Sequence, residues 1–404
     1  MTVESNDTIL DYPFSNPSAL EAAPEWERLR TECPVARIRL PSGDEAVLLT
    51  RHEDVRAVLS DRRFQRQLGT SDAARISNED EGGFLGGEVS IASGEGHERW
   101  RKLVGRYFTA RRMIDMRPQI KATAEGFLDG MIKKGSPADL SAEFGFPLPV
   151  WVIGMLLGIP EADRNIFRRW SEIMLNVSRF SQDEIDSSQA EFMEYFTNHV
   201  AALRENPGDD LISSLLDVAD SAEDDRISAF ELVLTAQGLL IAGHETTSHM
   251  IGKMVAMLLA DRARWERLLA DRSLVRYAVE EALRFDVNPG IGIPRYITTD
   301  LELSGGTLPA GTSVICSMGA ANRDGTVFAD ADAMNLNRAP NPHVSFGGGQ
   351  YSCIGASLAR AELQIALELL LDRLPTLELA IPVEQLRARE GLLLGGLEEV
   401  PVRW

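Results

Sequence analysis

The residue of this chain best placed to do chemistry is a cysteine at the end of a glycine-rich run, Phe346-Gly347-Gly348-Gly349-Gln350-Tyr351-Ser352-Cys353-Ile354-Gly355. Three consecutive glycines allow backbone conformations and close approaches that a Cβ resists. Beyond Cys353 the pattern turns helical and apolar through Leu358, Ala359, Ala361, Leu363, Ile365, Leu367 and Leu370. The spacing predicts a sulfur where a loop enters a buried helix. Backbone N–H groups and the positive helix end there favour thiolate over thiol. A thiolate so placed can ligate a haem iron and push electron density toward O–O cleavage. A buried, inert cysteine is the plainer reading of the same stretch.

Phe346, Gly347, Gly349, Cys353, Gly355, Leu358 and Ala359 coincide with the pattern F-G-x-G-x-[H/R]-x-C-x-G-x-x-L-A. The run therefore resembles the cysteine-ligand loop of the cytochrome P450 family. Tyr351 departs from it, standing where the family has a basic residue that contacts a haem propionate. A phenol can donate a hydrogen bond there but brings no charge. About a hundred residues earlier, Ala242-Gly243-His244-Glu245-Thr246-Thr247 matches the family's [A/G]-G-x-[D/E]-T-T. Leu239, Ala242, Gly243 and Thr246 are spaced i, i+3, i+4, i+7 and share one helix face, which the resemblance turns toward the haem. Gly243 would let a flat ring and a diatomic ligand approach the backbone. Thr246 can bond back to a carbonyl one turn earlier, bending the helix and opening room for water. Glu245 can relay protons from solvent. His244 and His249 read as hydrogen-bonded core or packing residues.

The resemblance assigns further residues. His97 and Arg101 match the family's H-x-x-x-R, and Arg295 its second propionate arginine; charge-assisted Arg–carboxylate bonds suit that task. Glu281-Ala282-Leu283-Arg284 matches E-x-x-R, whose structural network takes an arginine from the segment before the cysteine loop, here Arg338. Substrate contacts would come from Phe84, Leu85, Val89 and Ile91 in a long loop, Met174 at a lid helix, and Leu239 and Ala242 on the central helix. Ile291, Ile293, Leu393 and Leu394 complete the expected pocket. All are candidates whose bland alternative is core or surface packing.

The elements that must position these residues are legible in outline. Ser228 to about Leu259 is the longest helical pattern, about 45–50 Å at the α-helical rise. It is nearly continuously apolar from Leu232 to Met250, yet Gln237, His244, Glu245 and His249 argue for a core helix rather than a membrane span. Residues 24–60 predict helix, hairpin, helix, with turn chemistry at Pro41-Ser42-Gly43-Asp44 and His52 as a surface or capping residue. Residues 65–96 carry seven glycines and no periodicity, so they predict a long loop. A helix should begin at His97, and several amphipathic helices should fill 117–205. His343 is expected to be a structural hydrogen-bonder.

At 404 residues length alone suggests two or three domains, whereas the resemblance implies one, residues 1–404. Its fold class is mainly α: a helical part of about 97–285 and 354–372, and a small β-rich part of about 35–60, 296–318 and 377–404. The formal charge of −20 argues against nucleic-acid and anionic-membrane partners. Three widely spaced cysteines make neither a disulfide framework nor a zinc pattern. The first thirty residues lack a basic start and an apolar core, so no secretory signal or anchor is expected, and a cytoplasmic monomer is. Between 97 and 112, however, six cations face one acid, Glu98. That local asymmetry suits an acidic partner, which the resemblance identifies as a ferredoxin or flavodoxin with its reductase. The implied cofactor is haem b with Cys353 as axial ligand. The implied reaction inserts one oxygen atom from O2 into a mostly hydrophobic small molecule, by analogy in secondary metabolism. One rival keeps the haem but couples or closes rings without net oxygen insertion. Another is a haem- or ligand-binding protein without turnover.

Overall fold

Ser228 opens the longest helix. Its Oγ accepts from the Glu231 N–H at 3.1 Å, and Glu231 Oε2 accepts from the Ser228 N–H at 2.8 Å. Such a reciprocal cap contributes about 1 kcal/mol. In the computed structural model, which describes residues 8–64, 72–77, 91–92, 94–175, 177–219 and 227–404, this central helix runs Ala229–Leu259. It is buried on nearly every side, which is why its sequence shows an apolar run and not a stripe. No helix among the described residues is long and apolar enough to cross a membrane.

Around it pack helices Gly94–Gly105, Ala110–Lys134, Pro147–Leu156, Phe167–Met174, Gln182–Glu205, Val275–Phe285 and Ala356–Arg373, sharing one continuous apolar core. The first of these starts at Gly94, three residues before the expected His97. Small residues let neighbours close in: a Cβ on Gly252 would stand 2.7 Å from Ser141 Oγ.

Period-two alternation produces the other part. Val35–Arg39 and Glu45–Leu49 pair antiparallel, Val35 opposite Leu49 and Arg39 opposite Glu45. Leu10–Asp11 joins one side in parallel; Thr312–Cys316 joins the other, also in parallel. Ile293–Ile297 then pairs antiparallel with Thr312–Cys316, Arg295 opposite Val314. This ends the sheet on the strand that carries Arg295.

Two expectations change. The strands of 377–404 do not extend this sheet: Pro401–Arg403 pairs with Ala138–Asp139 and with Glu378–Leu379. Asp139 Oδ1 accepts from the Val400 N–H at 2.9 Å and the Leu140 N–H donates to Val400 O at 3.0 Å, fastening the chain's last strand to the helical part. His52 is buried, not a surface residue. Its Nε2 lies 2.9 Å from Pro342 O and its ring meets Phe328 edge-on.

Candidate active site

The glycine run makes the turn its composition predicts. Gly347 and Gly349 have φ of +70° and +62°, a region that side chains with a Cβ rarely adopt. A Cβ on Gly349 would fall 2.6 Å from Leu59 O and 2.8 Å from Ser60 Cα. The loop therefore rests directly on the backbone end of helix His52–Ser60. Gly349→Ala should cost about 3 kcal/mol, combining backbone overlap with an unfavourable φ, and shift the thermal midpoint down in a melting curve.

Beyond the turn the Cys353 N–H donates to Phe346 O at 2.8 Å, closing the loop. Gly355 precedes helix Ala356–Arg373, with no atom within 4 Å of where its Cβ would sit. The Cys353 side chain stands exposed. Behind the loop, Arg360 lies 4.4 Å over the Phe346 ring and donates from Nε to Glu280 Oε1 at 2.7 Å. His343 Nε2 sits 3.0 Å from the other oxygen of Glu280. Burial pushes the Glu280 carboxyl up, but hydrogen bonds from His343 and Arg360 outweigh it and hold it at about 2. The expected structural role of His343 is thus met by a carboxylate.

Four stretches converge beside this loop. Helix Gly94–Gly105 is pinned to the central helix by Arg99–Glu231 and by Trp100 Nε1, which donates to Thr235 Oγ1 at 3.0 Å. It presents Arg101, whose guanidinium donates to Ser352 O and, at 3.2 Å, to Ser352 Oγ. The His97 ring lies 4.4 Å from that of Tyr351, and Arg295 sits 5.1 Å over the same phenol. Arg295 is 2% exposed, and its Nε has no hydrogen-bond partner among the described residues. Burial lowers its pKa, with Cys316 and Tyr351 opposing. A buried guanidinium with an idle N–H is a demand for an acceptor.

On the central helix, Ala242 and Thr246 are exposed in the middle of an otherwise buried element, with Gly243 half-buried and Leu239 buried beside them. Thr246 Oγ donates to Ala242 O at 2.8 Å, the back-bond that its position predicts. Gly243 has a reason the sequence did not suggest: a Cβ there would stand 2.8 Å from Ile153 Cδ1 and Cγ1. It admits helix Pro147–Leu156 against the central helix.

Glu245 is 2% exposed and faces away from solvent. His244 Nε2 lies 3.3 Å from its Oε1 and His249 Nε2 3.4 Å from its Oε2. Arg389 Nη1 lies 3.2 Å from His249 Nε2, and its other terminal nitrogen donates to Glu172 Oε1 at 2.9 Å. Burial raises the Glu245 carboxyl, but His244, His249 and Arg389 together bring it below its ordinary value. Burial drives His249 down to about 4, so it is neutral. Sequence reading took His249 as a hydrogen-bonded core or packing residue, without linking it to Glu245, and passed over Arg389 and Glu172. The i,i+4 spacing of Glu245 and His249 could have flagged that link; the other two residues carry no local signal.

Of the expected pocket residues, Ile291, Leu393 and the segment after Met174 are tied together. The Ile291 N–H donates to Leu393 O at 3.2 Å, and the Leu393 N–H to Leu175 O at 2.9 Å. Met174 and Leu394 are half-buried against the main core. Ile293 is half-buried beside the cysteine loop, its Cδ1 3.6 Å from where a Gly347 Cβ would stand. Ile91 is half-buried; Phe84, Leu85 and Val89 lie outside the described residues.

Glu281 gathers a separate, fully buried cluster. Arg284 donates to it at 2.8 and 2.9 Å, and Arg338 Nε at 3.1 and 3.2 Å.

A family model for cytochrome P450 matches residues 165–382, and nocardicin C N-oxygenase of Nocardia uniformis subsp. tsuyamanensis is 42% identical over 97% of this chain and 98% of its own. The chain belongs to the cytochrome P450 family. Mycinamicin IV hydroxylase/epoxidase of Micromonospora griseorubida is 43% identical over the same shares. The solved structure of the putative thioether synthase SgvP, involved in the tailoring step of griseoviridin, covers 98% of this P450 and 100% of its own chain, at 37% identity and a TM-score of 0.93. Membership makes this chain an oxidoreductase, a monooxygenase of the haem-thiolate type that acts on a small molecule with electrons from redox partners. The residues present fit that group: an exposed sulfur at a glycine loop, and beside it a buried arginine whose idle N–H suits a propionate.

Proposed function

We propose that this P450 binds haem b through the Cys353 thiolate and inserts one oxygen atom from O2 into a mostly hydrophobic small molecule, in a secondary-metabolite tailoring step. The convergence of Arg295, Arg101, His97 and Tyr351 beside Cys353 carries the reading. Arg295 and Arg101 hold the propionates, His97 assists, and Tyr351 supports Arg295 through its ring face. Phe346, Gly347 and Gly355 line the sulfur side; Ala242 and Gly243 line the other. Haem, when bound, supplies the O2 binding and oxidising chemistry.

This chain's own residues hold and move protons and orient the substrate. Thr246 spends its hydroxyl proton on Ala242 O, so its lone pairs can accept from water or a bound group. Glu245, one residue earlier, is the acid that feeds protons toward it. Leu239, Ala242, Ile91, Met174, Ile291, Ile293, Leu393 and Leu394 form the substrate face, with Phe84, Leu85 and Val89 as loop contacts. Electrons come from an acidic ferredoxin or flavodoxin and its reductase. It docks on the basic face that residues 97–112 present. The protein acts as a monomer. The thioether chemistry attached to SgvP supports a second reading, coupling or ring closure without oxygen insertion.

Turnover under 18O2 with surrogate ferredoxin and reductase tests this, after a spin-state titration selects substrates. One 18O atom in the product supports insertion; a product two hydrogens lighter without 18O supports coupling. Thr246→Ala should lower product per electron at least roughly ten-fold while the carbon monoxide complex stays unchanged, read as product against reductant consumed.

A further inference from the structure

His244 is fully buried and its two ring nitrogens have unequal surroundings. Nδ1 lies 2.7 Å from Leu240 O. A carbonyl oxygen only accepts, so Nδ1 carries a proton. Nε2 faces Glu245 Oε1 at 3.3 Å, and neither atom has a well-formed hydrogen bond among the described residues. If His244 were neutral and Glu245 ionised, two lone pairs would confront each other in a desolvated pocket. One proton between them removes that conflict.

His249, on the other side of the carboxylate, cannot supply it. Arg389 only donates, so His249 Nε2 accepts from it and has no proton to offer Oε2. The remaining groups facing the pair are few. Lys253, one helical turn beyond His249, is held by Asp286 at 2.6 Å. Arg389 is held by Glu172. The Phe146 ring meets His244 edge-on at 5.7 Å, with Arg168 over that ring at 4.8 Å. Of these cations, Arg389 favours the carboxylate form of Glu245.

We propose that His244 is the proton-holding partner of Glu245: at rest it is an imidazolium whose Nε2–H is aimed at Glu245 Oε1; it gives that proton to the carboxylate, Glu245 passes a proton on toward Thr246, and the imidazole takes a replacement proton from solvent water before the next turnover. In the step, the Nε2–H bond breaks as an O–H bond forms at Oε1. Imidazolium and carboxylate become neutral imidazole and neutral acid, so no net charge is created in the low-dielectric interior. This rests on Glu245 handling protons for Thr246.

Nitrogen-15 histidine NMR of the ferrous carbon monoxide holoenzyme, which is diamagnetic, tests it. One histidine should carry protons on both nitrogens, vanish in His244→Phe, and become the neutral Nδ1–H form in Glu245→Gln. His244→Asn keeps the bond to Leu240 O and assigns the signal if the phenylalanine variant does not fold. In His244→Asn, product per electron should fall about five- to ten-fold, with more peroxide and an unchanged carbon monoxide band. A neutral His244 in the unmodified enzyme, or unchanged coupling in His244→Asn, overturns the proposal. Failure of the monooxygenase reading looks different: the unmodified enzyme then makes no product while the NMR still reports the pair.

Discussion

Cys353→Ser removes the thiolate signature from the carbon monoxide spectrum and takes electron-driven turnover to background, while the protein keeps its fold. The two halves of that expectation come from different parts of the loop. Its shape depends on Gly347 and Gly349 at positive φ and on the Cys353 N–H donating to Phe346 O, none of which uses the sulfur. The side chain is exposed, so exchanging sulfur for oxygen should change stability by no more than about 0.5 kcal/mol. The chemistry has no such tolerance. A serine hydroxyl is a far weaker acid than a thiol, and only the anionic soft ligand donates electron density in the required way. Arg101 and Cys353 interact electrostatically, so Arg101→Gln should weaken haem retention without abolishing it. A serine variant with an intact thiolate-type spectrum would place the ligand elsewhere. A variant that loses cooperative melting would make Cys353 structural.

What sequence could reach was local or periodic. The central helix announced itself through its cap and its length, and Thr246 through a back-bond that needs only a carbonyl four residues earlier. The glycine loop was legible because positive φ is a property of residue type. What it could not reach was whatever depended on a distant partner. The packing of Gly243 against Ile153 is of that kind. Around Glu245, His249 is backed by Arg389 and Glu172, which arrive from elsewhere in the chain. Among the six cations of 97–112, the pairing of Arg99 with Glu231 and of Arg101 with Ser352 likewise depends on segments far along the chain. His52 looked like a helix-start residue, and Pro342 and Phe328 bury it. Composition reports charge and polarity; it does not report which side of a helix another segment covers.

Glu281→Gln should destabilise the protein by about 3–5 kcal/mol, a large share of the roughly 5–15 kcal/mol that holds a folded domain. The carboxylate serves two guanidiniums, Arg284 and Arg338, and also accepts from the Asn335 N–H at 2.7 Å and from Asn341 Nδ2 at 3.2 Å. Glu281 and Arg284 are fully buried. An amide would replace one acceptor oxygen with a donor pointing at other donors and leave two buried cations without a counter-charge. Arg284 also donates to Asn322 O, Ala331 O and Ala333 O, and Arg338 to Ala329 O. Loosening the cluster therefore frees the whole segment that delivers the chain to the cysteine loop. Haem content per protein should fall together with the urea midpoint. Arg338→Met, which removes one cation and keeps the other paired, should cost less than Glu281→Gln. Equal losses from the two would mean that packing of that segment, and not charge compensation, sets the stability.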